Sequence, residues 1–167
     1  MKNMTKLLSD KEVIQKVLDQ ISDKTTDLGD QTWRESVENY RSEKRFSTEL
    51  DLFQRLPIVF CPSAALAKSG SYVARDVGGV PLLAVRGKDG VVRTFHNSCR
   101  HRGMILAEGS GNASKFICRY HAWAYGLDGN LLNVSGNEGF PDLDKNSHGL
   151  IEVETQEKCG LIFVTQK

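Results

Sequence analysis

The sequence predicts a mainly β, antiparallel fold preceded by an α-helical N-terminal arm. Past Pro57, short apolar and β-branched segments alternate with turn residues, the texture of antiparallel strands. Two of the intervening turns, 87–90 (GKDG) and 127–130 (LDGN), contain the Asp-Gly pair that favours a tight hairpin connection. Before about residue 46 the apolar residues recur at the spacing of one helical face instead.

The arm, residues 1–45, opens on a capping signal. Ser9 with Glu12 matches a capping box, and Val13, Ile14, Val17, Leu18 and Ile21 then form one stripe. A second helix is expected after Asp30, with Trp33, Val37 and Tyr40 on one side, and a short third one after Ser47 that stops before Pro57. Packing on its own subunit or on a neighbour is the expected role of such an arm. The strands expected within residues 46–167 are SYVARDV, PLLAVRG, VVRTFHN, KFICR, NLLNV, LIEVE and GLIFV. The boundary between the two parts is a change of secondary structure; no repeat, low-complexity tract or flexible linker marks it.

Composition excludes several classes of function. With 167 residues and 40% apolar content the chain can bury a core. The 22 Lys and Arg against 21 Asp and Glu give no overall attraction for nucleic acid or an anionic membrane. No apolar run approaches the roughly 18 residues of a membrane span, and the N-terminus has no secretory h-region, so the expected location is the cytoplasm. There, four cysteines are expected to act as thiols or metal ligands, not as disulfides. Cys61 and Cys159 border apolar runs and read as small core or edge residues.

Cys99 and Cys118 differ from that pair. CRHRG at 99–103 and CRYHAW at 118–123 give Cys-x-His, sixteen residues, then Cys-x-x-His, so Cys99, His101, Cys118 and His121 form a candidate set of two sulfurs and two nitrogens on two loops. Such a set suits a structural Cys2His2 zinc or a 2Fe-2S cluster. The familiar zinc finger pairs like with like, Cys with Cys and His with His, whereas each loop here mixes the two. Two ferric ions, two sulfides and two thiolates sum to about zero, so a cluster with two neutral imidazoles is easier to reduce than one with four thiolates. Arg100, Arg102, Lys115 and Arg119 lie among the ligands, where they would favour the reduced state or attract an acidic redox partner, unless they are merely solvated loop charges. Trp123 would shield the site from water or serve as an ordinary core aromatic. Gly103, Gly109 and Gly111 suit loop turns. With the ligand set complete, His96 reads as a strand-end histidine, and His148 has no chemical neighbour in sequence.

The text PLLAVRGKDGVVRTFHNSCRHRG together with FICRYHAWAYGLDGNLLNV resembles the Rieske domain of the large (alpha) subunits of ring-hydroxylating oxygenases. The resemblance covers about residues 46–167 and implies a Rieske-type antiparallel β-sandwich with two cluster-binding loops. It implies one Rieske 2Fe-2S cluster held by Cys99, His101, Cys118 and His121, with Arg100, Arg102, Arg119 and Trp123 around it. Rieske proteins of cytochrome bc complexes carry one more cysteine in each loop, paired as a disulfide. The corresponding positions here are Met104 and Tyr120, which favours the oxygenase or ferredoxin branch. Two departures stand out: Arg119 replaces the usual proline and Ala122 the usual glycine, both able to alter loop rigidity and the potential.

In that family a ferredoxin or a flavin/NAD(P)H reductase supplies electrons, and the acceptor is a mononuclear Fe(II) in a C-terminal catalytic domain, its own or a neighbouring subunit's in a homotrimer. No two-histidine, one-carboxylate set is visible before Lys167, so the resemblance implies that this chain transfers electrons without itself hydroxylating. Readings from other classes are a stand-alone Rieske ferredoxin, which would not require the arm, and a structural zinc module. The substrate is set by a pocket the chain lacks.

Overall fold

A computed structural model describes residues 7–29 and 31–167, and the chain divides into two compact units, Met1–Arg41 and Ser42–Lys167. In the first unit, helix α1 (Asp10–Asp23) starts at Ser9, whose side chain accepts from the Glu12 amide while the Glu12 carboxylate takes the Ser9 N–H at 2.7 Å. The capping box is therefore present as expected. The stripe Val13, Ile14, Val17, Leu18 and Ile21 is exposed along its length.

The second expected helix is nearly absent. Asp30 lies outside the described residues, 31–37 is irregular, and only α2 (Glu38–Arg41) is helical. Local side-chain bonds compete with the helix here. Trp33 donates to Glu35 at 3.0 Å and the Glu38 amide donates to the Ser36 hydroxyl at 3.3 Å, so helical winding begins only past Ser36.

The second unit opens with α3 (Glu43–Arg55), which starts earlier than expected. Ser42 caps it by accepting from the Arg45 amide at 3.3 Å, and Thr48 sits in the helix interior with its hydroxyl bonded back to the Lys44 carbonyl. Arg45–Glu49 and Asp51–Arg55 pairs line its exposed face.

Ten strands follow: β1 (Ile58–Pro62), β2 (Ser71–Val77), β3 (Val80–Arg86), β4 (Val92–His96), β5 (Gly109–Asn112), β6 (Phe116–Ile117), β7 (Ala124–Tyr125), β8 (Leu131–Asn133), β9 (Glu152–Lys158) and β10 (Leu161–Thr165). They form a seven-stranded sheet in the order β1-β10-β9-β4-β3-β2-β5 and a three-stranded sheet β6-β7-β8, with every pairing antiparallel. The mainly β antiparallel expectation holds, and both Asp-Gly turns close hairpins, β3–β4 and β7–β8. Gly109 and Gly111 differ from expectation: they belong to edge strand β5, where a Cβ at position 111 would come within 3.0 Å of the Tyr72 ring.

Strand β3 is buried on both faces. Leu83 and Val85 join a core with Phe95, Phe116, Trp123, Tyr125, Leu127 and Leu131, whereas Leu82 and Ala84 join Phe60, Leu66, Val153, Ile162 and Val164. The first core lies between residues of both sheets and includes Cys99 and Cys118. Cys61 belongs to the second core, but Cys159 is exposed in the β9–β10 turn with a φ of 50°. Arg86 links separate segments of this unit by donating to the Leu66 carbonyl, to the Gly90 carbonyl at 2.7 Å and to both oxygens of Glu157.

The β3–β4 turn carries a pH-dependent contact. Asp89 accepts from Arg93 at 2.7 and 3.1 Å and from the Val91 amide at 3.1 Å, and the Arg93 guanidinium leads in pulling its pKa from 3.8 to about 2. Because the folded value lies below the unfolded one, this contribution to stability is present above pH 3.8 and disappears as pH falls through about 2. An Asp89→Asn protein should lose less Tm than the parent between about pH 5 and about pH 2, read from thermal melts.

Candidate metal centre

Two loops carry the four candidate ligands. The first follows β4 in the large sheet, and the second, residues 118–123, joins β6 to β7 in the small one. They close in the same way. The Cys99 amide donates to the Met104 carbonyl and the Gly103 amide to the Cys99 carbonyl, both at 2.8 Å; the Cys118 amide donates to the Trp123 carbonyl at 2.8 Å and the Ala122 amide to the Cys118 carbonyl at 2.9 Å. Each cysteine thus heads a turn closed by bonds from its own N–H and back to its own C=O.

That shared closure needs a left-handed residue four positions after each cysteine. Gly103 supplies it at φ 73° and Ala122 at φ 54°. An L-residue there costs about 1 kcal/mol that glycine avoids, so the second loop holds backbone strain that the first does not. Ala122→Val should destabilise the protein by about 2 kcal/mol in denaturant unfolding, because a β-branched side chain fits this region worst. Ala122→Gly should change stability by less than about 1 kcal/mol, the relief being offset by the freer unfolded chain.

Among the described residues no three candidate ligands come close enough to hold a single metal ion, but the two histidines do approach each other. Cys99 and Cys118 are buried, and the His101 and His121 rings lie 4.7 Å apart, centroid to centroid, at 64°. The Nδ1 atoms of both histidines are buried with no hydrogen-bond partner. Two orphaned imidazole nitrogens side by side are costly unless something absent from a bare chain binds them, and a metal group does so. Burial, followed by the His121 and Arg102 charges, lowers the His101 pKa and favours the neutral form that a metal ligand requires.

Several neighbours hold the arrangement. Trp123, fully buried, stacks on His101 at 4.8 Å and 10°, and Phe140 meets both rings edge-on at 5.6 and 5.5 Å. Tyr125 Oη lies 3.3 Å from Cys99 Sγ and accepts the Arg100 amide at 3.0 Å. Burial first, then the Cys99 contact, push this phenol up and keep its proton in place. Asn97, also buried, braces the first loop by accepting from the Leu106 and Ala107 amides and donating to the Ala107 carbonyl at 2.7 Å. Asn97 and Tyr125 lie within the text that carries the resemblance but had no role assigned there, and Phe140 lies outside it. Asn97 stands two residues before Cys99, so its position was available in sequence, whereas Phe140 comes from a distant loop.

The other predicted residues fall into place differently. Arg100, Arg102 and Arg119 are exposed on the loops. Lys115 precedes β6 and adjoins Ser114, which lines a cleft of about 290 Å³ between the two Asp-Gly turns, away from the ligands. His96 ends β4 with its amide bonded to the Ile151 carbonyl, and His148 closes a 3-10 turn through Asp144.

Equal numbers of soft thiol sulfurs and imidazole nitrogens, borne on mixed loops from two antiparallel sheets, suit a β domain of the iron–sulfur class. The chain belongs to the Rieske [2Fe-2S] domain family, which matches residues 57–144. It is 35% identical over 136 residues to the carnitine monooxygenase oxygenase subunit of Escherichia coli strain K12, covering 80% of this chain and 36% of that protein. It is 41% identical over 133 residues to the chlorobenzene dioxygenase subunit alpha of Cupriavidus sp. strain PS12, covering 74% and 30%. Among solved structures, the quaternary ammonium Rieske monooxygenase CntA superposes with a TM-score of 0.75 at 32% identity, over 81% of this chain and 39% of that one. The chain thus spans about a third of the length of the curated relatives it matches. No helix among the described residues is long and apolar enough to cross a membrane.

Proposed function

We propose that this chain is the N-terminal Rieske part of an oxygenase large (alpha) subunit, in which Cys99, His101, Cys118 and His121 hold one 2Fe-2S cluster. The observation that carries this reading is the pair of buried, partnerless Nδ1 atoms on neighbouring imidazoles, borne on the same two loops as two buried thiols. Within it, residues 1–45 are the arm and 46–167 the Rieske domain. The cluster, when bound, takes up and gives back one electron at a time.

The residues around the site suit that task. Trp123 and Phe140 exclude water from one side of His101. Tyr125, still protonated, can donate to the Cys99 sulfur because its own oxygen already accepts the Arg100 amide. Donation to a thiolate favours the more negative, reduced state, so Tyr125→Phe should lower the reduction potential in a redox titration. The same change leaves the Arg100 amide without its acceptor and should cost about 1 kcal/mol in denaturant unfolding.

The electron donor in this reading is a ferredoxin or a flavin/NAD(P)H reductase. The acceptor is a mononuclear non-haem iron that activates O2 for hydroxylation in a C-terminal catalytic domain, the whole assembling as a homotrimer in the cytoplasm. Iron, zinc and acid-labile sulfide analysis of the purified protein, with EPR of the dithionite-reduced sample, tests the core of it. Iron and sulfide in equal amounts with a Rieske-type signal are expected; a colourless protein holding one zinc and no sulfide would refute it.

A further inference from the structure

We infer that Asn97 is a positioning residue for the Cys99 and His101 loop, its side-chain amide standing in for a strand pairing that the base of this loop lacks. This rests on Cys99 and His101 being cluster ligands. The two loops close alike at their heads but differently at their bases. The second is the tip of a hairpin, in which Ile117 and Ala124 pair immediately outside Cys118 and Trp123. The first leaves β4 at His96 and reaches its next strand only at Gly109, and that strand pairs with β2, on the far side of β3. Among the described residues the Leu106 and Ala107 amides have no backbone acceptor.

Asn97 fills that gap from within the core. It is 3% exposed, and its backbone amide is anchored on the Pro81 carbonyl of β3 at 2.8 Å. Its side chain exchanges two bonds with a single residue. Nδ2 donates to the Ala107 carbonyl at 2.7 Å and Oδ1 accepts the Ala107 amide at 3.2 Å, as opposed residues of an antiparallel ladder do. The Leu106 amide adds a bond to the same oxygen at 3.0 Å, and Leu106 is buried in the core that contains Cys99. Two N–H groups and one carbonyl call for a side chain that both accepts and donates, which an amide does in one orientation and a carboxylate does not. Residues 98–105, Cys99 and His101 among them, are thereby held at both ends, with one end fixed to β3. Backbone pairing shapes the second loop, whereas one side chain shapes the first, so the first is the half of the site that a single substitution loosens.

The test compares Asn97→Ala and Asn97→Asp with the parent and with Ile162→Val, a truncation in the core that excludes Cys99 and Cys118. Amide hydrogen exchange is read on each purified protein, together with the EPR line shape after dithionite reduction and the rate at which a chelator removes iron. In Asn97→Ala the Leu106 and Ala107 amides should exchange about tenfold or more faster, with residues 116–125 little changed. Asn97→Asp keeps the accepting oxygen and should fall between Asn97→Ala and the parent. Both variants should lose iron faster and show an altered line shape, which Ile162→Val should not. Circular dichroism identifies a variant that has not folded, and if Asn97→Ala is one, Asn97→Asp decides. Parental exchange at Leu106 and Ala107, a parental line shape with parental iron loss, or the same changes in Ile162→Val would overturn the positioning role. A parent protein without iron or sulfide, in which exchange still responds to Asn97, would sink the cluster and spare the loop's dependence on Asn97.

Discussion

A Cys118→Ser protein is expected to lose its visible colour, its iron and its acid-labile sulfide together. The Cys118 thiol is buried at the head of the second loop, its amide and carbonyl both engaged in closing the turn, so no neighbouring side chain can take its place. A serine hydroxyl fits the space but ionises far less readily than a thiol and is a poorer ligand for iron. His101→Cys should likewise abolish the normal Rieske spectrum, by replacing a neutral imidazole with a charged thiolate. His96→Asn supplies the control, since His96 lies at the end of β4 and contributes its backbone to the sheet. Retention of spectrum and iron by the His96 variant is expected, and their loss there would show that the ligands are wrongly assigned.

The second large effect is one of stability. Gly129 sits in the β7–β8 turn at φ 82°, and a Cβ on it would lie 2.5 Å from a ring carbon of Phe95. Phe95 is itself fully buried in the core that contains Cys99 and Cys118, and cannot retreat without displacing that core. Left-handed strain and overpacking act together, so Gly129→Ala should destabilise by about 3 kcal/mol in denaturant unfolding. Gly90, in the corresponding place of the β3–β4 turn, has no neighbour within 4 Å of such a Cβ, and Gly90→Ala should show the strain without the clash. Equal losses in the two variants would rule out Phe95 as the cause.

The candidate set Cys99, His101, Cys118 and His121 could be proposed from sequence because all four fall within a short run whose spacing is itself informative. Strands rich in Val, Leu and Ile, such as β3 and β10, were legible for the same reason: their composition reports their burial. Edge strand β5 was not, since GSGN carries no apolar signal and becomes a strand only because the backbone of β2 offers it partners. The stripe Trp33, Val37, Tyr40 misled in the opposite direction. Its periodicity is helical, but the bonds made by Glu35 and Ser36 to nearby groups hold the chain out of a helix until Glu38. Tyr125 lies within the text that carries the resemblance but had no role assigned, and its contact with Cys99 depends on how β7 faces the first loop, which no local pattern encodes. Ala122 is the converse case: its departure from the usual glycine was visible in sequence, while the left-handed turn that gives the departure a cost was not.

One of the loops proposed to hold the cluster grows from the large sheet and the other from the small one. The small sheet has strands of only two or three residues, too few to hold themselves together by their own ladder. A group bound by a cysteine and a histidine from each loop would act as a rivet between the sheets, in addition to carrying charge. Assembly of the domain and capture of its cofactor would then be one cooperative event, and a cell short of iron or sulfide would accumulate not an idle carrier but a chain whose smaller sheet is loosely attached and open to proteolysis.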